Sequence, residues 1–269
     1  MTWLEGELTT LAVCWRLERR DGVGLGLTAH DRDLVIDGNL YRASPGMTPS
    51  AIERGSEGDA SAMAATGALV SGAIREGDLL AGRWDGAKVA CFAVDWTDVT
   101  RRVALGGGTI GAVETRDGSF TAELVGPAAS LERPVSEETA PSCRARLGDA
   151  RCRVAMAARV TIARVVAGED ETVTIDVDEP VANGWGGGRL RWFGGANTGL
   201  EDAIAMSAGA VLSLRAPPRF TPRPGDLVEV TQGCDKTIAT CAGRFDNAVN
   251  FRGEPYLPGI DLLTRYPGG

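Results

Sequence analysis

Short alternations of apolar and polar residues, cut repeatedly by turn dipeptides, constrain this chain most. In Thr10–Glu18 the apolar residues Leu11, Val13, Trp15 and Leu17 fall at period two. Lys88–Asp95, Val103–Leu105, Ser119–Val125, Thr172–Val177, Val211–Leu214 and Leu227–Val230 read the same way. Side chains of a strand alternate between two faces, so this period marks strands rather than helices. Between the runs stand Asp21-Gly22, Asp37-Gly38, Asp85-Gly86, Asp117-Gly118 and Pro224-Gly225, residue pairs suited to tight turns. Residues 24–44 (GLGLTAHDRDLVIDGNLYRAS) read as a meander of three strands. Helical signals are short: Arg75–Trp84, Pro127–Glu132 and, more weakly, Leu200–Ala208. The expectation is a mostly β protein with two or more barrel or sandwich domains.

The 269 residues suffice for one large domain or two ordinary ones. Residues 133–142 end in a polar stretch with Pro134 and Pro141 and no periodic apolar residues. They are expected to link an N-terminal β-rich domain, 1–132, to a C-terminal one, 143–269. No apolar run approaches the length of a membrane span, so insertion of this chain into a membrane is not expected. The first residues, MTWLEGELTTLAVCW, are acidic where a signal peptide is basic, and the expectation is synthesis in a reducing cytoplasm. A formal charge of −8 disfavours a main role in binding nucleic acid, because such proteins neutralise phosphates with Lys and Arg.

Six cysteines are present. Cys14 (LAVCWRL) and Cys91 (KVACFAV) sit among strand-forming residues and read as small buried hydrophobes. The other four fall in two short loops, CRARLGDARC (Cys143 and Cys152) and CDKTIATC (Cys234 and Cys241). In a helix, nine residues turn the chain by about 900°, placing Cys143 and Cys152 on opposite faces. Cys234 and Cys241 would share a face but stand about 10 Å apart along the axis. If the four converge, neither segment is a plain helix; Gly148-Asp149 and Asp235-Lys236 are the expected turns. Two disulfides would contribute roughly 2–3 kcal/mol each, in a compartment that opposes them. Four-cysteine zinc sites use tighter spacings of two to four residues. The wider gaps here suit an iron–sulfur cluster, which spreads its thiolates over a longer perimeter. Arg144, Arg146, Arg151 and Arg153 around the first pair, and Lys236 in the second, suit thiolates and a negatively charged cluster; Arg144, Arg151 and Lys236 are the expected supporting residues.

Other motifs carry less. His30, the only histidine, lies in AHDRD beside Asp31 and Asp33. The favoured reading is a turn residue rather than an acid–base pair. No cysteine sits in a nucleophile motif, and a catalytic role is not expected. Gly184–Gly188 (GWGGG) lacks the Lys-Ser/Thr of a phosphate loop and reads as a mobile loop or tight turn. For Trp185, Trp192 and Phe193, core packing and an exposed contact surface are equally plausible sequence readings.

Cysteine pairs spaced C-x8-C and C-x6-C resemble those of the C-terminal domain of the minor tail protein L of lambda-like phages. Gly26–Gly46, Gly72–Trp84, Val89–Trp96 and Gly233–Gly259, the last containing GCDKTIATC and FDNAVNFRGEPYLPG, resemble tail hub proteins of siphophage-like particles and gene transfer agents. The resemblance implies a structural protein of the tail tip, made in the bacterial cytoplasm and assembled into a phage-like particle. It implies a homotrimer of β-barrels around a lumen that DNA traverses without specific binding. It places the hub between a distal tail protein and a central tail fibre or receptor-binding tip protein, with a tail peptidase as a further partner. It also implies a [4Fe–4S] cluster held by Cys143, Cys152, Cys234 and Cys241, with zinc or disulfides as alternatives. The glycine-rich gap between Cys152 and Cys234 departs from a compact cluster domain and reads as an inserted β-domain. The competing functions are an iron–sulfur redox protein and, less well supported, a tail-associated cell-wall hydrolase.

Overall fold

The computed structural model describes residues 10–43, 48–49, 63–68, 74–116, 119–126 and 136–257. The chain divides into two compact units, Met1–Val135 and Ser136–Gly269. The mostly β expectation holds in both. Residues 133–135 lie outside the described residues. The remainder of the expected linker, 136–142, belongs to the second unit: Ala140 and Glu254 exchange main-chain and side-chain hydrogen bonds of 2.8 and 2.9 Å.

The first unit is a nine-stranded sheet of order β3-β4-β2-β1-β7-β8-β9-β6-β5. Its strands are β1 (Leu11–Glu18), β2 (Gly24–Thr28), β3 (Leu34–Ile36), β4 (Asn39–Ala43), β5 (Thr48–Pro49), β6 (Met63–Ala68), β7 (Lys88–Asp95), β8 (Asp98–Arg116) and β9 (Ser119–Val125). The alternation of β1 places Trp15 and Leu17 in one apolar cluster with Leu27, Val89 and Cys91. Ala12 and Cys14 join Ile36, Tyr41 and Val94 in another. The two faces of the strand thus feed two cores. Cys14 and Cys91 are buried hydrophobes on these opposite faces; burial raises both thiol pKa values, Cys91 to about 11. The Asp37-Gly38 turn has positive φ at both residues, 50° and 75°, as a two-residue hairpin requires. The expected meander is only partly one: β3 and β4 form the hairpin, but β4 then pairs with β2 in parallel, leaving β3 at the edge. Arg75–Trp84 forms one short helix, α1 (Glu76–Leu80), followed by turns that bury Trp84. Pro127–Glu132 and Asp117-Gly118 lie outside the described residues.

The second unit is built on a closed six-stranded barrel, β10-β11-β14-β13-β12-β15. Its strands are β10 (Val160–Glu169), β11 (Thr172–Ile175), β12 (Arg189–Trp192), β13 (Glu201–Ala208), β14 (Val211–Leu214) and β15 (Leu227–Thr231). Val165, Val173, Ile175, Leu190, Trp192, Ile204, Leu212, Val228 and Val230 fill the interior, as expected of a barrel too small for a lumen of its own. The weak helical reading of Leu200–Ala208 is corrected: Glu201–Ala208 is β13. Its Ile204 and Ser207 face inward across a register shift, and hydrogen bonding to β12 and β14 overrides local propensity. The glycine-rich segment is a tight turn, not a mobile loop: Trp185 within it is fully buried in the barrel core. Trp192 is likewise core, while Phe193 is 40% exposed beneath the Arg191 guanidinium.

Candidate four-cysteine site

The barrel lies between the two cysteine loops in sequence. Cys152 precedes β10 and Cys234 follows β15. These first and last strands pair antiparallel, with Val160 opposite Thr231. Barrel closure therefore brings the chain entering β10 and the chain leaving β15 to the same barrel end. The inserted-domain reading of the long gap describes this arrangement.

Local chemistry folds each loop. In the first, Gly148 has φ +79°, and the Asp149 carboxylate accepts main-chain N–H bonds from Arg146, Arg151 and Cys152 at 2.7–2.9 Å. In the second, Lys236 has φ +67°, and Asp235 accepts from Thr237 N–H at 2.9 Å and from the Thr237 and Thr240 hydroxyls. Thr237 then caps the short helix α2 (Ile238–Gly243), accepting from Thr240 N–H, and α2 carries Cys241. The loops are stitched together by Cys143 N–H donating to the Lys236 carbonyl and Arg144 N–H donating to the Arg252 carbonyl, both at 2.9 Å.

All four cysteines line one small cavity, with Leu147, Val154 and Phe245 among its other walls. Cys152 and Cys241 are buried; Cys143 and Cys234 are half-buried; none is in a disulfide. Among the described residues no group of three or more His, Cys, Asp or Glu side chains is arranged to hold a single metal ion. Main-chain N–H groups of Lys236 and Arg252 donate to Cys234 Sγ and Cys143 Sγ, each at 3.4 Å. The buried Asn247 amide reaches Cys152 Sγ at 3.7 Å. Burial pushes the Cys234 thiol pKa up, against the pull of Lys236 N–H and its ammonium. Burial also pushes Cys241 up, and each of the other three cysteines adds to that shift. Each negative charge placed on one of these sulfurs therefore makes ionisation of the next harder.

Of the three expected supporting residues, Lys236 touches the site: its ammonium donates to the Ala145 carbonyl at 2.6 Å. Arg144 and Arg151 are committed elsewhere. Arg144 makes a two-pronged pair with Glu254 at 2.7 and 2.9 Å and also binds Glu137; Arg151 pairs with Glu137 as well. These pairs fix the loop's frame rather than facing sulfur. Sequence reasoning missed Asn247, Phe245 and the donors on Lys236 N and Arg252 N. Phe245 packs between the Arg159 and Arg244 guanidiniums, 4.7 and 5.7 Å from the ring centre. The motif FDNAVNFRG contains both side chains, but nothing local marks its first Asn as buried.

His30 is a turn residue. Its Nδ1 accepts from Arg32 N–H at 3.1 Å and lies 3.1 Å from Asp31, and its ring packs on Trp96. Asp33 accepts from Ala43 N–H and closes the same region. Among the described residues no helix is long and apolar enough to cross a membrane.

The family profile described as "Baseplate hub protein, N-terminal attachment domain" matches residues 1–155. A second, described as "Phage conserved hypothetical protein BR0599", matches residues 183–261, which include Cys234, Cys241 and Asn247. No curated protein matches the chain. Among solved structures, a chain from "Virion of native gene transfer agent (GTA) particle" is 37% identical, with a TM-score of 0.86, over 99% of this chain and 94% of that one. The early hub signature around residues 26–46, the two-unit β architecture and these matches converge: the chain belongs to the baseplate hub protein family of phage-like tails.

Proposed function

We propose that the protein is a structural component of the tail tip of a phage-like particle, and that a [4Fe–4S] cluster staples its second unit. The observation that carries the hub reading is the 37% identity over 99% of the chain to a component of a gene transfer agent virion. In this reading three copies surround the tail axis, joining a distal tail protein to a central fibre or receptor-binding tip, with DNA passing through. The closed barrel of the second unit suits such a wall, because it leaves no free strand edge there to recruit other chains. The surface lining the axis is neutral or acidic, since each phosphate contact would add salt-dependent drag. The role is architectural rather than catalytic.

The cluster reading rests on the four free cysteines lining one cavity. A zinc ion holds sulfur at about 2.3 Å and draws four of them to one point. The C-x8-C and C-x6-C spacings, wider than those of four-cysteine zinc sites, suit a wider group better. Cys143, Cys152, Cys234 and Cys241 would each hold one iron. When bound, the cluster supplies a cationic iron core that four thiolates share. The chain contributes the N–H donors of Lys236 and Arg252 and the apolar wall of Leu147, Val154 and Phe245. Because the site joins segments on either side of the barrel, a bound group closes a loop absent from the unfolded chain. In small zinc domains such closure contributes roughly 10 kcal/mol or more.

Two measurements test the reading. Electron microscopy of assembled particles should show three copies around the tail axis without Lys or Arg lining the channel; six copies, one copy or a basic channel would overturn the trimer or the lumen statement. Anaerobically purified protein should contain about four irons and four sulfides per chain, the composition of this cluster class. Zinc without sulfide, or two disulfides in freshly isolated protein, would overturn the cluster and leave the hub assignment intact.

A further inference from the structure

We propose that Asn247 is the positioning residue that locks the two buried cysteines together and sets the access order of the site. The inference rests on the four-cysteine reading above but uses only this chain's own bonds. Asn247 is 8% exposed and lies just beyond α2. Its side-chain Nδ2 donates to the Cys152 carbonyl at 2.6 Å and approaches Cys152 Sγ at 3.7 Å. Its main-chain N–H donates to the Cys241 carbonyl at 3.0 Å, and its carbonyl accepts from the Cys241 thiol at 3.3 Å. The side-chain Oδ1 is held by Asn250 Nδ2 at 2.7 Å. One residue therefore grips Cys152, which precedes the barrel, and Cys241, which follows it.

The chemistry of these bonds differs with the state of sulfur. A ligating thiolate has no proton, so ligation ends the Cys241 S–H bond to the Asn247 carbonyl. The Nδ2 donor has the opposite preference, since a donor favours a charged sulfur acceptor. Asn247 thus holds the empty site through Cys241 and the filled one through Cys152. Cys143 and Cys234 have main-chain donors that follow from loop shape, and both stay half-exposed. The buried pair depends on a side chain, and a side chain can be replaced.

The test uses the full chain with Asn247→Ala and Asn247→Asp. Asp has the shape of Asn, but its carboxylate offers no donor and repels the Cys152 carbonyl oxygen that Nδ2 now bonds. Asn197→Ala is the control: Asn197 is also buried, at 1% exposure, but its side chain bonds the main chain of Phe220 within the barrel unit. In chelator-stripped, reduced protein, iodoacetamide should label Cys143 and Cys234 well before Cys152 and Cys241. Both Asn247 variants should speed labelling of Cys152 and Cys241 roughly tenfold while far-UV circular dichroism stays unchanged. Iron-loaded protein should release iron to a chelator roughly 10–100-fold faster in both variants, the usual effect of removing a ligand's supporting partner. The control should change neither. Unaltered labelling order in both Asn247 variants, or the same change in Asn197→Ala, would overturn the proposal. Absence of iron and sulfide from the wild type would overturn the cluster alone, because labelling reads the metal-free chain.

Discussion

Replacing Gly233 by Ala should open the barrel end that carries Cys234. A Cβ built at Gly233 falls 2.0 Å from Gly186 O, 2.2 Å from Gly188 N and 2.4 Å from Gly187 C. Ordinary contact begins at 3.4 Å, so the worst approach is short by about 1.4 Å. All three atoms are backbone, and rotamer changes offer no relief. Retreat is blocked as well. Gly187 N–H is bonded to Ile204 O and Gly188 N–H to Trp185 O, and Trp185 is buried in the core. Displacement in the other direction carries Cys234, since Gly187 already stands against its main chain. Overpacking of this kind costs about 1–3 kcal/mol, and opposed backbones place this case at the upper end. With 1.4 kcal/mol per factor of ten, main-chain amides in residues 227–233 should exchange roughly a hundredfold faster. Hydrogen-exchange mass spectrometry reads this directly. Gly243→Ala is the counterpart: no atom stands within 4 Å of its Cβ, it ends α2, and Ala should stabilise it by about 0.5–1 kcal/mol. Exchange in Gly233→Ala within about threefold of wild type would refute the claim that this backbone crossing holds the barrel end.

Further outcomes follow from the same contacts. Changing any one of Cys143, Cys152, Cys234 and Cys241 to Ser should remove most visible absorbance and iron from anaerobically prepared protein. Cys14→Ser or Cys91→Ser should cost only about 1–2 kcal/mol of local packing and leave the colour intact. The Glu254 carboxyl is held at about 2, first by Arg144 and then by Ala140 N–H, against an ordinary value of 4.5. A depressed carboxyl stabilises the fold above its ordinary value, and that contribution is lost as pH falls through the folded one. The urea-midpoint gap between wild type and Glu254→Gln should therefore be full above pH about 5 and vanish towards pH about 2. A gap that stays constant over this range would show that Glu254 acts by shape alone.

Much of the architecture was legible along the chain, and the reason is local. Period two is a property of the strand itself, so β7, β9 and β14 begin and end where the alternation does. Asp37-Gly38 and Gly148 need backbone angles that few residues adopt without strain, and their sequence identity announced the turns. The same local reasoning failed at Leu200–Ala208. There the composition suits a short helix, but neighbouring strands on both sides claim its hydrogen bonds.

The sequence by itself determined a mostly β chain, the set of four cysteines apart from Cys14 and Cys91, and a β-domain set between the two pairs. Only the tertiary structure decided what these residues meet. Arg144 and Arg151 were legible as charges beside cysteines, yet their guanidiniums go to Glu137 and Glu254, and Glu254 is 110 residues from Arg144. Asn247 was one more polar residue in a motif until burial beside Cys152 gave it a role, at a separation of 95 residues. Strand and turn preferences are written in covalent geometry and act between neighbours. A charge or an amide takes its partner from whatever the closed barrel brings beside it, and the pairing of Val160 with Thr231 is what makes two distant loops one site.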